Sequence, residues 1–284
     1  AATDGCAQRI GGENMLVSIG LIILGFVLLI KGADFLVEGS SNIAKKFHIP
    51  EIIIGLTIVS IGTSMPELFV STTSSINGYA DMSIGNIIGS NLCNLLLILG
   101  LSALIRPIKF QRETRLIEMP MCLIVTIIFM IFCNTSGSIQ KSEAVVLIIL
   151  FILFIIYTIV MAKKGEQFDK EDGVTETKTE NKKIPIAKNI IFIILGIIGL
   201  KIGGDLTVDN ALIIARQFNV SEKIIGLTIL AIGTSLPELV TSVTAAIKGN
   251  SDIAIGNIIG SNIFNILFII GVSAVISPLA YNFT

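Results

Sequence analysis

Residues 32–107 and 203–278 are two copies of one segment: at an offset of 171 (238 minus 67) they align without a gap and match at 41 of 76 positions. The agreement is densest at IGTSMPEL, 61–68, against IGTSLPEL, 232–239, and at IGNIIGSNLCN, 84–94, against IGNIIGSNIFN, 255–265. Polar letters are kept in both copies although the surroundings are apolar. A chain so duplicated has to fold as two related halves that can meet at one place.

Water is not the solvent for such halves. The chain is 52% hydrophobic and 14% charged, with a mean hydropathy of +0.86, far from the composition of a soluble domain. A bilayer core needs about 20 apolar residues per helix. Eight stretches qualify, near 15–36, 51–77, 83–105, 116–134, 143–162, 187–205, 223–247 and 254–277. The sequence thus predicts an all-α polytopic membrane protein lying in a lipid bilayer. Residues 1–14 carry no apolar stretch and read as a disordered leader, not a secretory signal. The organisation expected is a first half over 15–162 with five spans, a charged linker over 163–186, and a second half over 187–284 with three.

Glu67 falls in the second stretch and Glu238 in the seventh. Five spans separate these equivalent points, and an odd number turns the second copy upside down. Inverted repeats mark secondary transporters, in which two halves of opposite orientation exchange conformations around one midplane site. Lysine and arginine stay on the cytoplasmic side. The linker holds six lysines, and alternation puts Lys45, Lys46, Arg106, Lys109, Arg112 and Arg115 on its side. That side is therefore expected to be cytoplasmic, with the N-terminus outside.

The matched motifs supply oxygen. Pro66 and Pro237 remove a backbone donor inside a span and break the helix, freeing carbonyls near Ser60 and Ala231 at the negative end of a half-helix. Thr63, Ser64, Thr234 and Ser235 add hydroxyls, and Glu67 and Glu238 add formal charge. Ser90 and Asn94 stand four apart on one helical face, as do Ser261 and Asn265. Gly85, Gly89, Gly256 and Gly260 have the small-xxx-small spacing that lets membrane helices approach closely. Such oxygen ligands suit sodium and calcium rather than transition metals. Two carboxylates nearly cancel one divalent charge, so monovalent ions or protons competing for the same oxygens would give exchange.

Blander readings exist for the same letters. Ser64-x-x-Glu67 and Ser235-x-x-Glu238 fit a capping box, although a charge at the centre of a membrane helix costs about 2.5–3.5 kcal/mol on insertion scales. Asp34, Asp205, Asp81 and Asp252 read as interfacial or capping residues, and His48 as a surface residue. Four cysteines without paired spacing suggest no metal or redox centre. A net charge of −1 excludes the basic footprint of a nucleic-acid binder, and the absence of HExxH, GxSxG and P-loop motifs argues against an enzyme. No cofactor is expected, and internal pseudo-symmetry suggests a monomer rather than the symmetric oligomer of a passive cation channel.

The two motif pairs resemble the alpha-repeats of the sodium/calcium exchanger family, here over about 51–105 and 222–276. The resemblance runs from about Met15 to the C-terminus and implies ten helices in two inverted sets of five, eight of them present here. It implies bound calcium and sodium as transported ions, several sodium ions per calcium, and the plasma membrane of a prokaryote. Carried over residue by residue, the ligands would be Glu67, Thr63, Ser64, Ser90 and Asn94 with Glu238, Thr234, Ser235, Ser261 and Asn265, completed by carbonyls of Ser60 and Ala231. Family members often carry aspartate at the position of Asn265, which leaves a calcium/proton or other cation antiporter as the alternative.

Overall fold

A computed structural model describes residues 2–108, 110–135, 137–171, 185–218 and 231–280, with side chains described from Met15 onward except over 164–171 and at Ala231. Most of the 163–186 linker, and residues 223–230 of the seventh predicted span, lie outside the described residues.

Ten helices follow in order among the described residues. They are α1 (Ala2–Lys46), α2 (Glu51–Thr63), α3 (Met65–Ile76), α4 (Ala80–Ile105), α5 (Thr114–Thr135), α6 (Lys141–Glu171), α7 (Ile186–Gln217), α8 (Ala231–Thr234), α9 (Leu236–Lys248) and α10 (Ser251–Ile276). Six of them are long and apolar enough to cross a membrane, and α2 with α3, bent by 49° at the break between them, passes the same test when the two are taken together. The seventh predicted stretch is represented by α8 and α9. Two boundaries move. Residues 2–14, expected as a disordered leader, belong to α1, and residues 163–171 of the linker extend α6. Neither segment contains proline, so nothing stops the helix from propagating out of the apolar run.

Inside a bilayer, apolar side chains gain little by leaving lipid for protein, so helices associate where small residues let backbones touch. The antiparallel pair α1–α7 shows this on a seven-residue period. Gly25 lies against Gly203, Gly32 against Gly196, and Gly39 against the backbone of Asn189. A β-carbon on Gly32 would lie 2.7 Å from the Leu200 nitrogen and 2.9 Å from the Gly196 oxygen. The second close approach is α10 on α2: a β-carbon on Gly256 would lie 2.8 Å from Gly55 Cα, and one on Gly260 2.6 Å from the Leu56 oxygen.

These approaches make α10 the central helix, with 83% of its most apolar window buried against 28% for its repeat partner α4. One core layer joins α2, α4, α5, α6 and α10 through Leu56, Ile87, Phe129, Leu147 and Ile263. The other joins α1, α2, α7, α9 and α10 through Leu29, Leu36, Val59, Leu200 and Ile253. Phe151 of α6 meets Phe268 and Phe264 of α10 at ring-centroid distances of 5.0 and 5.6 Å. A two-residue antiparallel bridge, β1 (Ser138–Ile139) with β2 (Leu279–Ala280), ties the α5–α6 turn to the chain after α10.

Gly32→Ala is expected to lower stability by about 1–3 kcal/mol by forcing the α1 and α7 backbones apart, read as thermal unfolding in detergent. Gly20→Ala, at a position with open space around the added carbon, is the control and should change it little.

Candidate functional site: two carboxylates at paired helix breaks

Both copies break their helix in the same way. Ser64 (φ −83°, ψ 12°) and Ser235 (φ −87°, ψ 6°) leave helical geometry just before the proline, and the helix restarts with Pro66 or Pro237 in its first turn. Glu67 and Glu238 are therefore first-turn residues of α3 and α9, at the positive ends of those helices. They are 0% and 1% exposed. Neither belongs to an ion pair among the described residues.

Their hydrogen bonds cross between the halves. Ser64 Oγ donates to Glu238 Oε1 at 2.7 Å. Glu67 Oε1 accepts from Ser90 Oγ at 2.9 Å and from Ser235 Oγ at 3.4 Å, and the two hydroxyls lie 2.9 Å apart. The capping-box reading is not realised, because neither serine side chain caps its own helix; each turns instead to the opposite half's glutamate.

Four asparagines that the sequence analysis did not single out complete the arrangement, again in matched pairs. Asn86 Nδ2 donates to Ser71 Oγ at 3.0 Å, and Asn257 Nδ2 to Ser242 Oγ at 2.9 Å. Thr63 Oγ1 donates to Asn257 Oδ1 at 3.1 Å, and Thr234 Oγ1 to Asn86 Oδ1 at 3.4 Å. Asn94 Nδ2 donates to Asn262 Oδ1, and Asn265 Nδ2 to Asn91 Oδ1, both at 3.0 Å. The signal was available: all four are identical between the copies, inside the stretch that already drew attention to Ser90 and Asn94. Asn94 and Asn265 themselves sit in π-helical turns, Cys93–Ile98 and Asn265–Ile270, a widened geometry frequent at functional sites.

Of the twelve predicted ligands, Glu67, Ser64, Ser90, Ser235 and Glu238 are joined by direct side-chain hydrogen bonds. Thr63 and Thr234 attach through Asn257 and Asn86, which reach the backbone oxygens of Glu238 and Glu67 at 3.5 Å; Asn94 and Asn265 form a separate set with Asn262 and Asn91, and Ser261 is fully buried at 0% exposure. The Ser60 carbonyl is already engaged, accepting from the Ser64 backbone at 3.0 Å and from Thr63 Oγ1 at 3.3 Å. Ala231 begins α8, and its side chain lies outside the described residues. Gly256 and Gly260 make the expected close approach; Gly85 and Gly89 meet no described atom, and the residues matching their partners at the repeat offset, 223–230, are not among those described.

What remains unsatisfied is informative. Glu67 Oε2, Glu238 Oε2, Asn94 Oδ1, Asn265 Oδ1 and Ser261 Oγ are buried without a hydrogen-bond partner, and every such atom among the described side chains is an oxygen. Buried polar atoms normally find partners. Bare carboxylate and amide oxygens offer lone pairs to a cation, not donors to an anion. The outlying aspartates behave as interfacial residues: Asp34 pairs with Lys248 at 3.0 Å, Asp205 with Lys201 at 2.8 Å, and Asp252 accepts from Gln111 at 2.6 Å.

A family model described as "Sodium/calcium exchanger protein" matches residues 17–160 and 188–284. The chain belongs to the sodium/calcium exchanger family. It is 38% identical to inner membrane protein YrbG of Escherichia coli over 267 residues, covering 93% of this chain and 81% of that one. It is 33% identical to sodium/calcium exchanger MaX1 of Methanosarcina acetivorans over 295 residues, covering 93% and 84%. A solved structure of the sodium-calcium exchanger NCX_Mj, soaked with 10 mM Na+ and no Ca2+, superimposes with a TM-score of 0.80 at 35% identity, covering 94% of this chain and 85% of that one. This member is accordingly an integral, multi-pass membrane protein with the inverted-repeat exchanger fold, and a cation/calcium antiporter.

Thr63→Val keeps shape but removes the hydroxyl that Asn257 accepts, and is expected to cost about 1 kcal/mol. Thr234→Val, whose bond to Asn86 is longer at 3.4 Å, should cost less. Thermal unfolding of the two purified variants checks the order.

Proposed function

We propose that this protein exchanges calcium for sodium across the membrane by alternating access, with Glu67 and Glu238 as the charged ligands of the transported ions. The observation that carries the reading is that, of the eleven buried side-chain oxygens without partners among the described residues, five belong to residues of the matched motifs in both halves: Glu67, Asn94, Glu238, Ser261 and Asn265. Thr63, Ser64, Ser90, Thr234 and Ser235 line the same cluster, and the carbonyls of Ser60 and Ala231 stand at the helix breaks. Oxygen-only coordination suits a hard cation, and calcium takes 6–8 such ligands.

Charge sets the coupling. Two carboxylates nearly neutralise one calcium ion, and sodium ions can replace it on the same oxygens, so the two cargoes exclude one another. An empty site carries two bare negative charges inside the bilayer, a state that is expensive to move. Reorientation therefore proceeds with ions bound, which makes the flux an exchange and not a leak.

The halves suit this motion. Crossed bonds between Ser64 and Glu238 and between Ser235 and Glu67 tie each half's charge to the other half's helix break. Rocking one half against the other would trade these contacts without exposing either carboxylate to lipid. The lysine and arginine distribution supports a cytoplasmic 163–186 linker and an outside N-terminus, and the compact form without a large inserted domain supports a prokaryotic plasma membrane. One chain holds the whole cluster, so a monomer suffices, and no cofactor is required.

Proteoliposomes loaded with sodium and diluted into sodium-free medium should take up radioactive calcium, and uptake should collapse when the sodium gradient is removed. Glu67→Gln or Glu238→Gln should each lower that uptake by at least about 100-fold, the scale of roughly 2.7 kcal/mol or more lost with a buried charged ligand. Uptake driven only by a pH gradient would assign the coupling to protons, and uptake indifferent to both gradients would overturn the antiport reading.

A further inference from the structure

We infer that Asn91 and Asn262 are positioning residues, whose side-chain oxygens capture the amide nitrogens of Asn265 and Asn94 and thereby turn those residues' oxygens toward the transported cation. The inference rests on the cation-site reading above and adds to it the groups that decide which end of each amide faces the ion.

An asparagine side chain is two-faced: its nitrogen only donates and its oxygen only accepts. Near a cation the wrong face presents N–H groups and repels. The two faces have nearly the same shape, so packing alone hardly distinguishes them, and only the surrounding hydrogen bonds can.

Here those bonds form a directed chain with a fixed start. The backbone carbonyl of Asn262 can only accept, and Asn91 Nδ2 donates to it at 3.2 Å. That leaves Asn91 Oδ1 on the opposite side, where it can only accept. Asn265 approaches it to 3.0 Å and must offer Nδ2. Its own Oδ1 is then turned away from Asn91, and it is buried with no protein partner. The sequence carbonyl, Asn91, Asn265 fixes the last oxygen outright.

The other copy repeats the outcome: Asn94 Nδ2 donates to Asn262 Oδ1 at 3.0 Å, and Asn94 Oδ1 is left buried and bare. Asn91 and Asn262 are equivalent at the repeat offset, as are Asn94 and Asn265. Each amide that offers its oxygen thus bonds through its nitrogen to the opposite half's asparagine, and for Asn265 the Asn262 carbonyl anchors that orientation.

The test is a pair of double-substitution cycles on the full-length chain, purified in detergent, read by equilibrium binding of radioactive calcium. Asn91→Leu should raise the calcium dissociation constant about tenfold by releasing the Asn265 amide. In an Asn265→Leu background, where no oxygen remains to be oriented, the same change should have no further effect. The mirror cycle of Asn262→Leu with Asn94→Leu should behave alike, and it carries the test if an Asn91 variant does not fold. Additive losses in both cycles, or calcium binding unchanged by Asn91→Leu, would overturn the inference. Absence of calcium binding by the unsubstituted chain would instead overturn the cation-site reading beneath it.

Discussion

Two carboxylates held out of water, with no cationic side chain paired to them among the described residues, set the terms for the rest of this molecule. Charge inside a bilayer is tolerated only where protein surrounds it and supplies polar contacts. Proline-broken helices provide that setting twice over, placing each glutamate at the positive end of a restarted helix. Serines from the opposite copy then donate to it. Removing either feature would leave a buried charge supported by one half alone.

Close backbone packing is what keeps such a site dry. Gly256 and Gly260 allow α10 to press on α2 within van der Waals contact of its backbone, which buries Ser261 and Asn265 beside that contact. On the other flank, α1 and α7 interlock along a run of glycines. The two helices pack as one ridge against α2, α9 and α10. Small residues thus do in lipid what large apolar residues do in a soluble core: they define which helices can be neighbours.

Sequence identity between the copies does not make their environments identical. α10 is largely enclosed, with α5 and α6 lying along it. The polar network is uneven. Ser90 bonds to Glu67, while its counterpart Ser261 has no partner and Glu238 relies on Ser64.

Read alone, the chain determined the membrane setting, the duplication and its inverted sense, and it singled out the buried glutamates and serines that the structure joins by hydrogen bonds. Those conclusions need only apolar run lengths, parity and residue chemistry, which are local or countable. Asn86, Asn91, Asn257 and Asn262 were present in the same matched letters yet carried no helical-face argument, because their partners lie on other helices and in the other copy. That Ser64 and Ser235 each donate to the opposite half's glutamate, and do not form the capping box that their spacing also allowed, has the same origin. Which oxygens stay bare, and therefore can meet a cation, was decided only by tertiary structure: a hydrogen bond between residues some 170 positions apart leaves no periodic trace in the chain.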